Sequence, residues 1–121
     1  PNLPEAEALL GHPIRTARDY DRAGVALRAL GADAVLLKGG HARGGEVVDR
    51  FYDADGVLEL RHPRLRVEGH GTGCTLASAI AAELAKGKPP RAAVRQAVAY
   101  VQRALARGYR PGKGEVRVLR H

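Results

Sequence analysis

The chain has 121 residues, 45% of them hydrophobic and 27% charged, which fits one soluble globular domain. Its one cysteine excludes an internal disulfide and a cysteine-built metal site, and no signal peptide or transmembrane run is present, so a cytoplasmic setting is expected. A net charge of +7 points to an anionic partner, nucleic acid or nucleotide, but the basic residues are scattered and aromatics make up only 4%, so a solvated basic surface is expected over nucleic-acid binding.

The chain begins at Pro1 and contains no methionine, which reads as a piece of a longer protein. Pro4 to Leu10 reads as a short helix, capped by Asn2, with Glu5 and Glu7 early in it and Gly11 at its end. Thr16 is the candidate cap of a second helix from Ala17 to Leu30, with an apolar stripe of Ala23, Ala26, Leu27 and Leu30 and a stop at Gly31. Ala34-Val35-Leu36-Leu37 is a continuous apolar run, the pattern of a strand buried on both faces. A helix followed by such a strand indicates an α/β sheet. Lys38-Gly39-Gly40-His41 then breaks the strand. Val47 to Tyr52 and Val57 to Arg61 read as strands joined by the hairpin turn Asp53-Ala54-Asp55-Gly56. Leu65 to Glu68 is a candidate strand. A glycine-rich turn, Gly69 to Cys74, leads into a small-residue helix from Thr75 to Lys86. The final helix runs from Pro89-Pro90 to Arg107, with Val94, Ala97, Val98, Val101, Ala104 and Leu105 on one face. A short strand is expected at Val116 to Leu119. No internal repeat and no domain linker interrupt this order.

Three places carry chemistry. Gly71-Thr72-Gly73-Cys74 sits at a helix start, where glycine permits a sharp turn and unpaired amides and the helix dipole favour an anion. A thiol at a helix amino end is favoured as thiolate and can serve as nucleophile or base. The same residues also fit an ordinary glycine-rich turn with a buried cysteine. The spacing matches neither GxxxxGK[ST] nor GxGxxG. Lys38, followed by Gly39 and Gly40, ends a strand where an α/β sheet binds ligands; a solvent lysine is the alternative. Asn2 and Glu5 are three apart at a helix start. That spacing suits a cap or a carboxylate reaching Mg²⁺ through water. The histidines show no metal-ligand spacing and read as surface or loop residues, and beyond the nearby His70 nothing completes a triad with Cys74.

Taken together, Pro1-Asn2-Leu3-Pro4-Glu5-Ala6, Val35-Leu36-Leu37-Lys38-Gly39-Gly40-His41 and His70-Gly71-Thr72-Gly73-Cys74-Thr75-Leu76 resemble, in order and spacing, three motifs of the ribokinase-like vitamin kinases. The Gly-Thr-Gly-Cys form resembles hydroxymethylpyrimidine (phosphate) kinase in particular. The resemblance implies a Rossmann-like three-layer α/β sandwich, of which residues 1–121 are the carboxyl-terminal, nucleotide-binding half.

It also implies two successive ATP-dependent phosphoryl transfers in thiamine synthesis, to a hydroxymethylpyrimidine and then to its monophosphate. By the same resemblance Gly71, Thr72 and Gly73 form the anion hole and Cys74 stands at the catalytic base. Lys38 with Gly39 and Gly40 binds ATP phosphates, and Asn2 and Glu5 place phosphate and Mg²⁺. The adenine pocket is expected between the strand near Val67 and the last two helices, and the intact protein is expected to be a homo-oligomer, a dimer. The family's fold is much longer, and its amino-terminal half supplies most of the pyrimidine pocket. The tail Gly112 to Val116 matches the family only loosely. Pyridoxal kinase and a non-catalytic nucleotide-binding module are the alternative expectations.

Overall fold

The computed structural model describes residues 1–40, 45–64, 71–110, 112–113 and 118–120. They fall into two compact units, Pro1–Arg64 and Leu65–His121.

The first unit opens with helix α1, Leu3–Leu10. Gly11 ends it in the left-handed region at φ 73°, its amide donating to the Glu7 carbonyl. The Glu7 carboxylate reaches forward to accept from the Ile14 amide at 2.8 Å, which fixes the connection to the next helix. That helix, α2, spans Ala17–Ala29 and carries a reciprocal capping box between Thr16 and Asp19. Each cap of this kind satisfies amides that a helix start leaves unpaired. Ala23, Gly24 and Leu27 are buried on α2. Leu30, expected in this stripe, is instead 65% exposed: it is the C-cap, where the helix ends and its face turns away.

Strands β1 (Val35–Leu37), β2 (Glu46–Asp53) and β3 (Gly56–Pro63) form one antiparallel sheet in the order β1-β2-β3. Asp53 pairs with Gly56, so Ala54 and Asp55 form the two-residue turn that the sequence signals. Burial of β1 differs from expectation. Only Leu37 is fully enclosed, whereas Val35 and Leu36 are half-buried. Beyond its pairing with β2, the end of β1 forms a parallel bridge between Asn2 and Lys38.

The core of this unit gathers Leu3, Ala6, Ile14, Ala23, Leu27, Leu37 and Tyr52. Tyr52 lies directly under α2, and a Cβ on Gly24 would stand 2.4 Å from its ring. The Tyr52 hydroxyl donates to the Tyr20 carbonyl at 3.0 Å, and burial pushes its pKa up to about 12, so it stays a donor. Arg28 ties the end of α2 to the sheet by donating to the carbonyls of Asp33 and Asp53. Arg50 spans the Tyr20 ring at 4.3 Å and pairs with Glu59 at 3.2 Å.

The second unit is built on α3 (Thr72–Ala85) and α4 (Pro90–Ala106), packed as a pair. Buried Ala93, Val94, Ala97, Val98, Val101 and Ala104 form the expected stripe of α4; Leu105 is half-buried. Gly87, at φ 79°, closes the turn between the helices. Helix α3 starts three residues before the expected Thr75, because left-handed Gly71 lets the chain enter the helix at once. Leu65 to Glu68 lies outside the described residues. So do 116 and 117, while Val118 forms a single bridge with Tyr109.

Gly24→Ala is expected to cost about 1–3 kcal/mol by overpacking against Tyr52. Urea unfolding of the two proteins measures it, and equal midpoints would contradict this packing.

Candidate active site

In the first unit, β1 delivers Lys38 to the start of α1. The Lys38 amide donates to the Pro1 carbonyl at 2.8 Å, and the parallel bridge sets Asn2 beside Lys38. Asn2, Glu5 and Lys38 are therefore brought together, as their motifs require. The Lys38–Gly40 loop is held at three successive backbone groups. Besides the Lys38 amide, the Gly39 amide donates to Asp49 Oδ1 at 2.8 Å, and the Gly40 carbonyl accepts from Arg64 Nη1 at 2.5 Å. Gly39 is buried, and a Cβ there would stand 2.1 Å from the Val48 carbonyl oxygen. Only glycine fits. Lys38 itself is half-buried, which separates it from a freely solvated strand-end lysine.

Asn2 and Glu5 form a full capping box. Asn2 Oδ1 accepts from the Glu5 amide at 2.9 Å, Glu5 Oε2 accepts from the Asn2 amide at 2.8 Å, and Asn2 Nδ2 donates to Glu5 Oε1 at 2.8 Å. Both carboxylate oxygens thus serve the cap. Among the described residues no three His, Cys, Asp or Glu side chains gather as a metal site.

In the second unit, Gly71 is the N-cap of α3 at φ 84°, with no side-chain cap. The first intrahelical bond runs from the Thr75 amide to the Gly71 carbonyl at 2.9 Å. The amides of Thr72, Gly73 and Cys74 precede it, so the helix offers them no acceptor. They point out of the helix at its positive end. Cys74 belongs to this first turn and is exposed, which sets aside a buried structural cysteine. From Cys74 a groove of about 650 Å³ runs between α3 and α4, past Ser78, Ala82, Gln96, Tyr100 and Arg103. Glu83 borders it between Lys86 and Lys88, whose ammonium groups hold its carboxyl below the usual range, Lys86 most strongly. The Val67 side of the expected adenine pocket lies outside the described residues, as do His41 and His70.

Asp49 and His62 were not singled out by sequence. His62, expected at the surface or in a loop, is on β3 and half-buried, with Nε2 3.1 Å from Asp49 Oδ2. One signal was available. Val47, Asp49 and Phe51 alternate along β2 and all are buried, so an acid stands at an inward position.

Comparison with solved structures defines the class first. A pyridoxal kinase from Staphylococcus aureus, solved with AMP-PCP and pyridoxal, matches with TM-score 0.90 at 34% identity, over 100% of this chain and 46% of that one. A phosphomethylpyrimidine kinase from Clostridium difficile matches with TM-score 0.67 at 35% identity, over 84% of this chain and 40% of that one. The fold is thus that of the ribokinase-like small-molecule kinases, as expected. Hydroxymethylpyrimidine/phosphomethylpyrimidine kinase of Rhizobium meliloti is 44% identical over 108 residues, 88% of this chain. The family described as phosphomethylpyrimidine kinase matches residues 1–119, and the chain belongs to that family. It spans 41% of the Rhizobium relative.

Gly71→Ala places a side chain in the left-handed region, which costs about 1–2 kcal/mol, although space for the methyl is open. Loss of stability with no steric remodelling of α3 is the expected result, read by thermal unfolding and helical circular dichroism.

Proposed function

We propose that this chain supplies the phosphate-handling part of a Mg²⁺-ATP-dependent kinase. Its acceptors are 4-amino-5-hydroxymethyl-2-methylpyrimidine and the monophosphate of that alcohol, and its place is thiamine synthesis. The observation that carries the reading is the start of α3: three outward amides behind a left-handed glycine, with an exposed thiol in the same turn. Family membership supports it, and an ATP analogue in a structural relative supports the nucleotide.

In this reading the amides of Thr72, Gly73 and Cys74 stabilise charge on the transferred phosphoryl group, the largest contribution such a site makes. Lys38, on its pinned loop with Gly39 and Gly40, holds phosphate oxygens of ATP. Bound Mg²⁺ neutralises triphosphate charge, and Asn2 and Glu5 orient it through its water shell. The groove between α3 and α4 is open for the nucleoside end of the donor. In the whole protein the working form is a homo-oligomer, a dimer, in the cytoplasm.

The two transfers differ physically. In the first, the hydroxymethyl oxygen attacks the γ-phosphorus, the bond to the β-phosphate oxygen breaks, and the alcohol proton must leave. Cys74 takes that proton, and a positioned base contributes about 10²–10⁴-fold. In the second, the attacking group is a phosphate whose second pKa is about 6, already ionised at neutral pH and in no need of a base.

Cys74→Ala in the intact enzyme is therefore expected to depress alcohol phosphorylation far more than phosphorylation of the monophosphate; equal losses would remove Cys74 as the base. Lys38→Ala is expected to raise the KM for ATP about tenfold in both steps, the worth of one charge-assisted hydrogen bond. An unchanged KM removes Lys38 from the phosphate site. The likeness to pyridoxal kinase favours pyridoxal as the second candidate acceptor, and parallel turnover assays on the two alcohols separate the readings. Calorimetric binding of Mg²⁺-ATP without turnover of either acceptor would instead define a nucleotide-binding module.

A further inference from the structure

Asp49 is the buried acid of the first unit, 6% exposed, and no step of the phosphoryl transfer uses it. It lies on β2, whose register sets it opposite Leu60, so His62 is its diagonal neighbour on the same face. Its two oxygens have separate partners. Oδ1 accepts from the Gly39 amide at 2.8 Å, and Oδ2 stands 3.1 Å from His62 Nε2. Facing a carboxylate, which only accepts, Nε2 is the ring nitrogen that carries the proton. The other nitrogen, Nδ1, is buried with no hydrogen-bond partner among the described residues. Among the described residues the ring is thus oriented by Asp49 alone, and it fixes Asp49 in return.

We infer that Asp49, braced by His62, is a positioning residue that fixes the shape of the Lys38–Gly40 loop for phosphate binding. The inference rests on the reading that this loop holds ATP phosphates. Of the three backbone groups fixed in the loop, the central one has a side-chain partner from the buried face of the sheet. A carboxylate accepting from an amide in a site closed to water makes a stronger bond than a neutral pair. The close approach of Gly39 to Val48 leaves the loop one seat on β2, and Asp49 holds it there. Lys38 next to that amide is then presented without a search through loop conformations, which is how positioned groups gain affinity.

Two substitutions of similar size separate the hydrogen bond from the packing. Asp49→Asn keeps an acceptor for the Gly39 amide, and its amino group faces a His62 free to switch tautomer. Asp49→Leu keeps the bulk and removes the acceptor. In the intact enzyme, Asp49→Leu is expected to raise the KM for ATP about tenfold and leave the KM for the pyrimidine within about twofold. Asp49→Asn should restore the ATP value to within about threefold of the parent. Hydrogen exchange at the Gly39 amide, followed by NMR without nucleotide, should be slow in the parent and the Asn variant and fast in the Leu variant. His62→Phe, which retains the ring and removes the brace, should give intermediate exchange and an intermediate KM. An unchanged KM for ATP in Asp49→Leu overturns the inference while leaving the phosphate role of the loop intact, provided Lys38→Ala still weakens ATP. If neither variant affects ATP, the phosphate reading fails and the inference with it. Should Asp49→Leu not fold, the exchange rate and ATP KM of His62→Phe decide the question, and parent-like values for both overturn it.

Discussion

Backbone meets backbone at Gly39. The loop after β1 lies so close to β2 that a methyl group at this position would overlap the Val48 carbonyl. That closeness seats the Gly39 amide on Asp49 and sets where the chain leaves β1. It also decides where Lys38 begins, because the adjacent amide is spent on Pro1. The bridge to Asn2 follows from it, and through the capping box so does the orientation of Glu5. A buried contact of this kind is felt throughout the unit because protein interiors have little slack.

In the second unit, the first intrahelical bond at the start of α3 is that of the Thr75 amide, and the helix itself gives the three amides before it no acceptor. Asn2 and Thr16 cap α1 and α2 with side-chain oxygens. At α3 the cap is a glycine that offers none. A start without a side-chain cap gives up some helix stability. Pro89 at the start of α4 likewise provides no side-chain cap, so the missing cap alone does not set α3 apart.

Much of this was legible in the order of residues. The caps at Asn2 and Thr16, the hairpin at Ala54-Asp55 and the apolar stripe of α4 all depend on neighbours within a few positions. Short-range chemistry of that sort is written locally. The start of α3 was misplaced because Gly71 marks it by backbone conformation, with no side chain to announce it. Within residues 1–121, which span 41% of the Rhizobium relative, β1 is enclosed only at Leu37. Asp49 and His62 escaped for a different reason. They stand 13 residues apart and meet only once β2 and β3 are in register. Of the candidate site residues, Lys38, Asn2 and Glu5 do assemble, but Glu5 is engaged by its own helix cap, the less dramatic of the two readings its spacing allowed.

The open position of Cys74 has a chemical side effect. An exposed thiol is accessible to peroxides and soft electrophiles, and its initial oxidation product, a sulfenic acid, is reversible while the later ones are not. Handling under reductant, and sensitivity to alkylating reagents, therefore follow from the exposure of Cys74 in the first turn of α3.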